Sequence, residues 1–586
     1  MPDVEELAEN SARIAAEVSK AATAYVKGLE SGAVKPAPSE SADMLKTFSA
    51  VAESWLAHPE RTVEVQKQIA SDVMGLWAHT FKVMQGEKPE PANSAARDNR
   101  FADPDWEKNP YFHLIKHAYL LGSNWAQNLV DKAEGIDEAT KRRAAFYVKQ
   151  LQAAFAPSNY LLTNPELIKQ TIEEKGANLA RGMQMLAEDM EKGGGSLRIR
   201  QVDDRGFEVG KNMAVTPGKV VFRNELMELI QYAPATETVF KRPLLIVPPW
   251  INKFYILDLN PEKSFIKWCV DQGLTVFVVS WVNPDERHRA CGFAEYMKLG
   301  PVAALDVIEE ITGEKDVQAI GYCVGGTLLA VTLAWLAAKG MGARINRATF
   351  FTTQVDFTYG GDLLAFVSED SIKALDEKMA ETGYLSGASM ANAFNMLRPQ
   401  DLIWSYVVNN YMKGKQPMPF DLLYWNGDST RMPAANHTFY LRNCYLENNL
   451  SKGKMVVDGV KLTLKKVKTP IYNLAAKEDH IAPAKSAFVG SQFFGGPVKY
   501  VMAGSGHIAG VVNPATKPKY QYWTGDEPKG AFEDWVKTAK ENPGSWWPDW
   551  LAWCTKGDKQ VRARKPGSRK HKPLCDAPGT YVKVRV

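Results

Sequence analysis

Gly321-Tyr322-Cys323-Val324-Gly325-Gly326 is the stretch whose reading decides the fold. The apolar run Val317 to Ile320 precedes it and the helical run Leu328 to Ala338 follows. A strand that must turn sharply into a helix needs small residues on either side of the turn, and Gly321, Gly325 and Gly326 supply them. The pattern is G-x-S-x-G with cysteine in place of serine. Cys323 then stands at a helix N-terminus, where the helix dipole favours a thiolate. Read blandly, the same letters are a glycine-rich turn around an inert buried cysteine, so the rest of the chain must decide.

Outward from Cys323, short apolar runs alternate with helix-length segments. Leu244 to Val247, Thr275 to Val279, Val317 to Tyr322, Ala348 to Thr352, Ile471 to Ala475 and Val498 to Met502 read as buried strands. Strands spaced by helices predict a mostly parallel, doubly wound sheet. With the elbow, this is the pattern of an α/β-hydrolase catalytic domain. The connection from about 353 to 470 is long and aromatic-rich, as expected of a cap over a site.

A cysteine nucleophile needs a base, and the base an orienting acid; in this fold they follow in the order nucleophile, acid, histidine. Asp479 comes just after the run Ile471 to Ala475, and His507, in Gly504-Ser505-Gly506-His507, just after Val498 to Met502. His480 is the rival base, but it adjoins Asp479 on the same turn and would need a strained path to Cys323. Glu478 is the rival acid. Oxyanion donors are expected from the Val324 N–H and from the loop Val247-Pro248-Pro249-Trp250-Ile251-Asn252, where the Ile251 N–H is the candidate; a Pro-stiffened turn is the equal alternative.

Before residue 195 the texture is helical. Leu45, Phe48, Ala52 and Trp55 fall on one face, His58-Pro59 breaks the pattern, and Ile69, Val73, Leu76, Trp77, Phe81 and Met84 resume it up to Gly86. Lys88 to Ser94 reads as a Pro-rich linker. Further helical runs follow Tyr111, Asp137 and Asn164. Gly193-Gly194-Gly195-Ser196 is the expected boundary, giving a helical domain over 1–195 and a catalytic domain over 196–586.

The 586 residues are too many for one core. A net charge of +4 argues against a nucleic-acid binder. The six cysteines are scattered, in neither a disulfide framework nor a Cys or His/Cys metal spacing, so reduced thiols, a cytoplasmic location and no metal are expected. The acidic start MPDVEELAEN lacks the features of a signal peptide, and the apolar stretch Thr327 to Ala338 is too short to span a bilayer. The C-terminal region holds Trp523, Trp535, Trp546, Trp547, Trp550 and Trp553, then a basic segment, Lys556 to Lys572, which reads as a solvated tail or an anion-attracting surface.

Several segments together resemble the polyhydroxyalkanoate synthases. Gly321 to Thr327 is similar to their lipase-like box. Pro248-Pro249-Trp250-Ile251-Asn252-Lys253, Arg398-Pro399-Gln400-Asp401-Leu402-Ile403-Trp404, Asp421-Leu422-Leu423-Tyr424-Trp425-Asn426, Glu478-Asp479-His480-Ile481 and Ser505-Gly506-His507-Ile508 resemble other family segments. Ser280-Trp281-Val282-Asn283-Pro284-Asp285 does too, with Val282 where arginine is expected. Asn164-Pro165-Glu166 and Gly182-Met183-Gln184-Met185-Leu186 are similar to the family's N-terminal domain. The single long chain resembles class I, which acts without a second kind of subunit.

The resemblance implies that Cys323 carries the growing polymer as a thioester and that His507 takes its proton. Asp479 would orient His507 or help activate the incoming 3-hydroxyl. The implied substrate is a 3-hydroxyacyl-coenzyme A, with 3-hydroxybutyryl-coenzyme A as the expected one, and the products are polyester and free coenzyme A. No cofactor is implied beyond the coenzyme A of the substrate. A homodimer associated with polyester granules is implied as well. Arg398 is a candidate for coenzyme A phosphates, with a surface ion pair as its commoner fate. A thioesterase or polyester hydrolase on the same fold, and a non-catalytic granule scaffold, are the rival functions.

Overall fold

The computed structural model describes residues 4–31, 38–86, 98–517 and 519–585; the expected linker Lys88 to Ser94 lies outside them. The chain forms two compact units, one of residues 1–203 with 393–419, the other of residues 204–392 with 420–586.

The first unit is helical. Its helices include Val4–Glu30, Pro38–Leu56, Pro59–Met84, Pro110–Asp131, Glu138–Ala154, Pro165–Glu173 and Ala177–Lys192. Pro59, Pro110 and Pro165 each stand in the first turn of a helix, where the missing N–H costs nothing. The packed faces differ from the expected stripes. Phe48, Val51 and Trp55 pack against Val130, Ala144 and Val148, whereas Leu45 faces solvent. On Pro59–Met84, Thr80 and Val83 are buried, while Trp77, Phe81 and Met84 are 60%, 57% and 64% exposed. That helix is apolar on two sides, and periodicity does not say which side packs.

The expected boundary at Gly195 falls eight residues early. The Arg200 Nε donates to the buried Asp189 Oδ1 at 2.8 Å, and its Nη2 pairs with Glu188 at 2.7 Å, so the chain stays tied to the last helix after the glycines. Residues 393–419, expected in the cap, belong to this unit instead. The Tyr411 hydroxyl donates to Asp189 at 2.7 Å, and Gly182 admits the Tyr411 carbonyl where a Cβ would stand 1.9 Å from it.

The second unit is built on an eleven-stranded sheet. Its strands are β1 (Gly218–Arg223), β2 (Met227–Tyr232), β3 (Leu244–Val247), β4 (Val276–Trp281), β5 (Val317–Tyr322), β6 (Ile345–Phe351), β7 (Ile471–Ala476), β8 (Val498–Ala503), β9 (Gln521–Thr524), β10 (Lys540–Pro543) and β11 (Cys575–Asp576). The spatial order is β10-β9-β8-β7-β6-β5-β3-β4-β2-β1-β11. β4, β3, β5, β6, β7 and β8 run parallel, and these are the six strands expected from the sequence. β2, β1, β9, β10 and β11 flank them antiparallel. Helices cover both faces, as buried parallel strands require. This is the α/β-hydrolase architecture.

The tryptophan cluster is core. Trp546, Trp547 and Trp550 are fully buried around Phe265, and their indole N–H groups donate to the Gly510 carbonyl, the Val511 carbonyl and the Thr349 hydroxyl. The basic segment is docked and not a loose tail: Gln560–Arg562 pairs with Thr238–Phe240, and Lys570 and His571 both contact Glu310. Trp425 packs in the core, and its indole N–H donates to the Lys253 carbonyl at 2.8 Å. Among the described residues no helix is long and apolar enough to cross a membrane.

Candidate active site

β5 ends at Tyr322, and the helix Val324–Ala338 begins two residues later. Cys323 at the turn has φ 52° and ψ −125°, a conformation that costs a non-glycine residue about 1–3 kcal/mol. The surroundings hold it there. Its N–H donates to the Phe351 carbonyl of β6 at 2.9 Å, and its carbonyl accepts from the Gly326 and Thr327 N–H groups. The glycines allow the close approach. A Cβ on Gly325 would stand 2.4 Å from the Val247 carbonyl oxygen, and one on Gly326 1.9 Å from the Thr353 hydroxyl. Gly326→Ala is therefore expected to destabilise the protein by about 1–3 kcal/mol through overpacking at the turn; a melting temperature equal to that of the parent would contradict this.

The Asp479 and His507 loops leave the ends of β7 and β8 and are bonded to each other. The Lys477 N–H donates to the Ala503 carbonyl and the Glu478 N–H to the Ser505 carbonyl. His507 Nδ1 donates to Asp479 Oδ2 at 2.6 Å. The other carboxylate oxygen accepts from the Ile481 and Ala482 N–H groups, both at 2.8 Å. The Asp479 side chain is wholly buried and that of His507 only 11% exposed. The Cys323 thiol lies near enough to His507 to influence its charge. Burial alone would lower the imidazole's pKa, but Asp479 and Cys323 beside it raise it well above 6.5. Tyr322 donates to the His507 carbonyl at 3.2 Å, so the residue before the turn also positions the histidine loop.

The structure thus brings Cys323, Asp479 and His507 together. His480 contributes its carbonyl, which accepts from the Asp362 N–H of the cap at 3.1 Å. Val324 opens the helix after Cys323 and is buried. Ile251 lies in the loop after β3, where its carbonyl accepts from the Thr430 hydroxyl at 2.7 Å. Arg398 belongs to the first unit and pairs with Asp401 at 2.6 Å; both side chains are more than half exposed. It lines a surface cavity with Arg100 and Lys149.

Sequence reasoning missed the walls of the site. Phe357, Tyr440 and Tyr445 of the cap form an aromatic cluster, with Trp250 6.3 Å from Tyr440 between ring centres. Tyr440 and Tyr445 are buried; burial first, and also Cys323 nearby, raise both phenols well above their ordinary pKa. Nothing in their local sequence pattern distinguishes them from other aromatics of the insertion.

A sharp strand-to-helix turn at Cys323, with a buried acid and a histidine on later strand ends, belongs to a protein of the α/β-hydrolase fold. A family model for the N-terminus of poly-beta-hydroxybutyrate polymerase (PhaC) matches residues 97–269, and one described only as a protein of unknown function (DUF3141) matches residues 372–491. A poly(3-hydroxyalkanoate) polymerase of Methylorubrum extorquens is 59% identical, over all of this chain and 98% of its own. A poly(3-hydroxyalkanoate) polymerase subunit PhaC of Rhizobium meliloti (strain 1021) is 57% identical over 100% and 96%. That of Cupriavidus necator is 39% identical over 90% and 89%. The chain belongs to the poly(3-hydroxyalkanoate) polymerase family.

Proposed function

We propose that this chain polymerises 3-hydroxyacyl-coenzyme A, with 3-hydroxybutyryl-coenzyme A as the first substrate to try, into polyester by covalent catalysis on Cys323. The observation that carries the reading is the buried His507–Asp479 pair, 2.6 Å apart, with Cys323 near enough to His507 to influence its charge. His507 takes the thiol proton. The thiolate attacks the substrate carbonyl, the carbon–sulfur bond to coenzyme A breaks, and coenzyme A leaves with the proton from His507. One thioester replaces another, so little free energy is lost. A hydroxyl then attacks the acyl-enzyme, giving its proton to His507 and restoring the thiol as the ester forms. The Val324 N–H and the Ile251 N–H are the proposed donors to the oxyanion.

Both carboxylate oxygens of the buried Asp479 are engaged, one by His507 and one by two backbone N–H groups. This favours orienting His507 over direct activation of the hydroxyl. The cap aromatics support polymerisation over hydrolysis, because they limit water beside the acyl-enzyme. The reading needs no cofactor beyond the coenzyme A of the substrate. Arg398 is retained as a phosphate contact; an unchanged KM for coenzyme A substrate in Arg398→Ala would remove it. The exposed Trp77, Phe81 and Met84 support contact with polymer or a second copy of the chain. Elution from size exclusion at the mass of one chain would exclude the dimer.

The test of function is coenzyme A release from 3-hydroxybutyryl-coenzyme A, followed by thiol titration, with the insoluble product weighed in the same tubes. Release with polyester is expected. Release with only free 3-hydroxybutyrate would make the protein a thioesterase, and no release would favour a scaffold.

A further inference from the structure

Away from Cys323, the helical unit gathers three histidines and a glutamate that the acyl chemistry does not use. His113 and His117 stand one turn apart on the same face of Pro110–Asp131. Glu107 lies on the preceding short helix, Asp105–Lys108, and the Asn109 cap between them turns the chain back. One donor atom from each of Glu107, His113 and His117 lies within 4.8 Å of the others. The His79 ring, from Pro59–Met84, completes the group, with its centre 5.0 Å from that of His113 and 6.0 Å from that of His117.

His113 is the telling residue. It is completely buried, and neither ring nitrogen has a hydrogen-bond partner among the described residues; the same holds for His117 Nε2. Buried imidazoles are almost always bonded, because an unmade hydrogen bond in a dry site costs the full desolvation of the group. Glu107 Oε2 stands 3.6 Å from His117 Nε2, beyond a good hydrogen bond, while its other oxygen pairs with Lys116. Core packing explains one buried histidine. It does not explain three histidine rings in mutual contact, with orphaned nitrogens beside a carboxylate.

From this geometry we infer that Glu107, His113 and His117, with His79, form a binding site for a divalent transition-metal ion of the zinc type. Imidazole and carboxylate donors suit zinc, and four such groups fill a closed tetrahedral shell. Ligands on a tetrahedron at zinc bond lengths sit about 3.3 Å apart, so modest rotations of Glu107, His113 and His117 bring three ligands to that spacing, and a larger turn of the His79 ring supplies the fourth. Burial first, then His117 and His79, lower the His113 pKa to about 4, so it is neutral at pH 7 with a lone pair to donate. Lys116, the cation facing the group, already neutralises one oxygen of Glu107 and leaves the other for the metal. The ion would tie three helices of the unit together, a structural role distinct from the acyl chemistry.

The expectation of no metal rested on cysteine and mixed Cys/His spacings. The ligand pattern here is His-x-x-x-His on one helix, completed by residues 6 positions before His113 and 34 before it.

The test uses the full chain as Cys323→Ala, which removes the Cys323 sulfur as a competing ligand. The protein is stripped with chelator, dialysed against zinc and then against buffer, and its zinc content measured. About one zinc per chain is expected, with a higher melting temperature than the stripped protein. Cobalt in its place should give tetrahedral d–d absorption without a thiolate charge-transfer band. His117→Gln and Glu107→Gln, each checked for native circular dichroism, should lose the bound zinc and the zinc-dependent rise in melting temperature. If His117→Gln does not fold, Glu107→Gln decides. No retained zinc in the parent, or full retention in the folded variants, overturns the inference.

Discussion

Replacing Cys323 by alanine is expected to abolish both coenzyme A release and polymer formation, lowering the rate by at least about 10⁴-fold, since loss of a covalent nucleophile removes the whole acyl-enzyme route. The fold should survive. The helix Val324–Ala338 is buried along almost its whole length, and the backbone bonds of residue 323 do not use its side chain. Alanine keeps the Cβ and therefore also the strained φ of 52°. A variant with native circular dichroism and measurable coenzyme A release would remove Cys323 from the mechanism.

Asp479→Asn is expected to keep the geometry and lose about 10³–10⁴-fold in kcat, as when an orienting carboxylate becomes an amide in a triad. The amide can no longer accept at both oxygens. It can hold the two loop N–H groups with its carbonyl, but its NH₂ then faces His507 Nδ1 and favours the wrong tautomer. The pH response should move too. Asp479 and Cys323 raise the His507 pKa against the effect of burial. A group with a raised folded-state pKa contributes stability that is fully present below its ordinary value near 6.5 and lost as pH rises through the folded value. The parent should therefore lose part of its stability on the alkaline side, and Asp479→Asn should lose less. Equal slopes of melting temperature against pH would show that the pair does not carry this charge coupling.

The six parallel strands and the order Cys323, Asp479, His507 were legible because each leaves a local mark. Strands buried on both faces read as short apolar runs, and the turn between strand and helix demands glycine. The antiparallel flanks were not legible. β1 alternates only in part, and β10, Lys540-Glu541-Asn542-Pro543, is polar and exposed along the sheet edge, with a proline that edge strands tolerate. The docked basic segment was read as a tail because its partners, such as Glu310, lie more than 250 residues away.

Local sequence alone pointed to Cys323 as the candidate nucleophile and to Asp479 and His507 as its candidate acid and base, because a strained turn and strand-end loops constrain residue types over a few positions. Tertiary structure decided everything that depends on distant partners. It placed residues 393–419 in the helical unit, through Gly182 and Tyr411. It set Tyr440 and Tyr445 beside the sulfur and brought His79 to His113 across 34 residues. A side chain's period along the chain tells which face it shares, but what that face meets is determined only when the chain closes on itself.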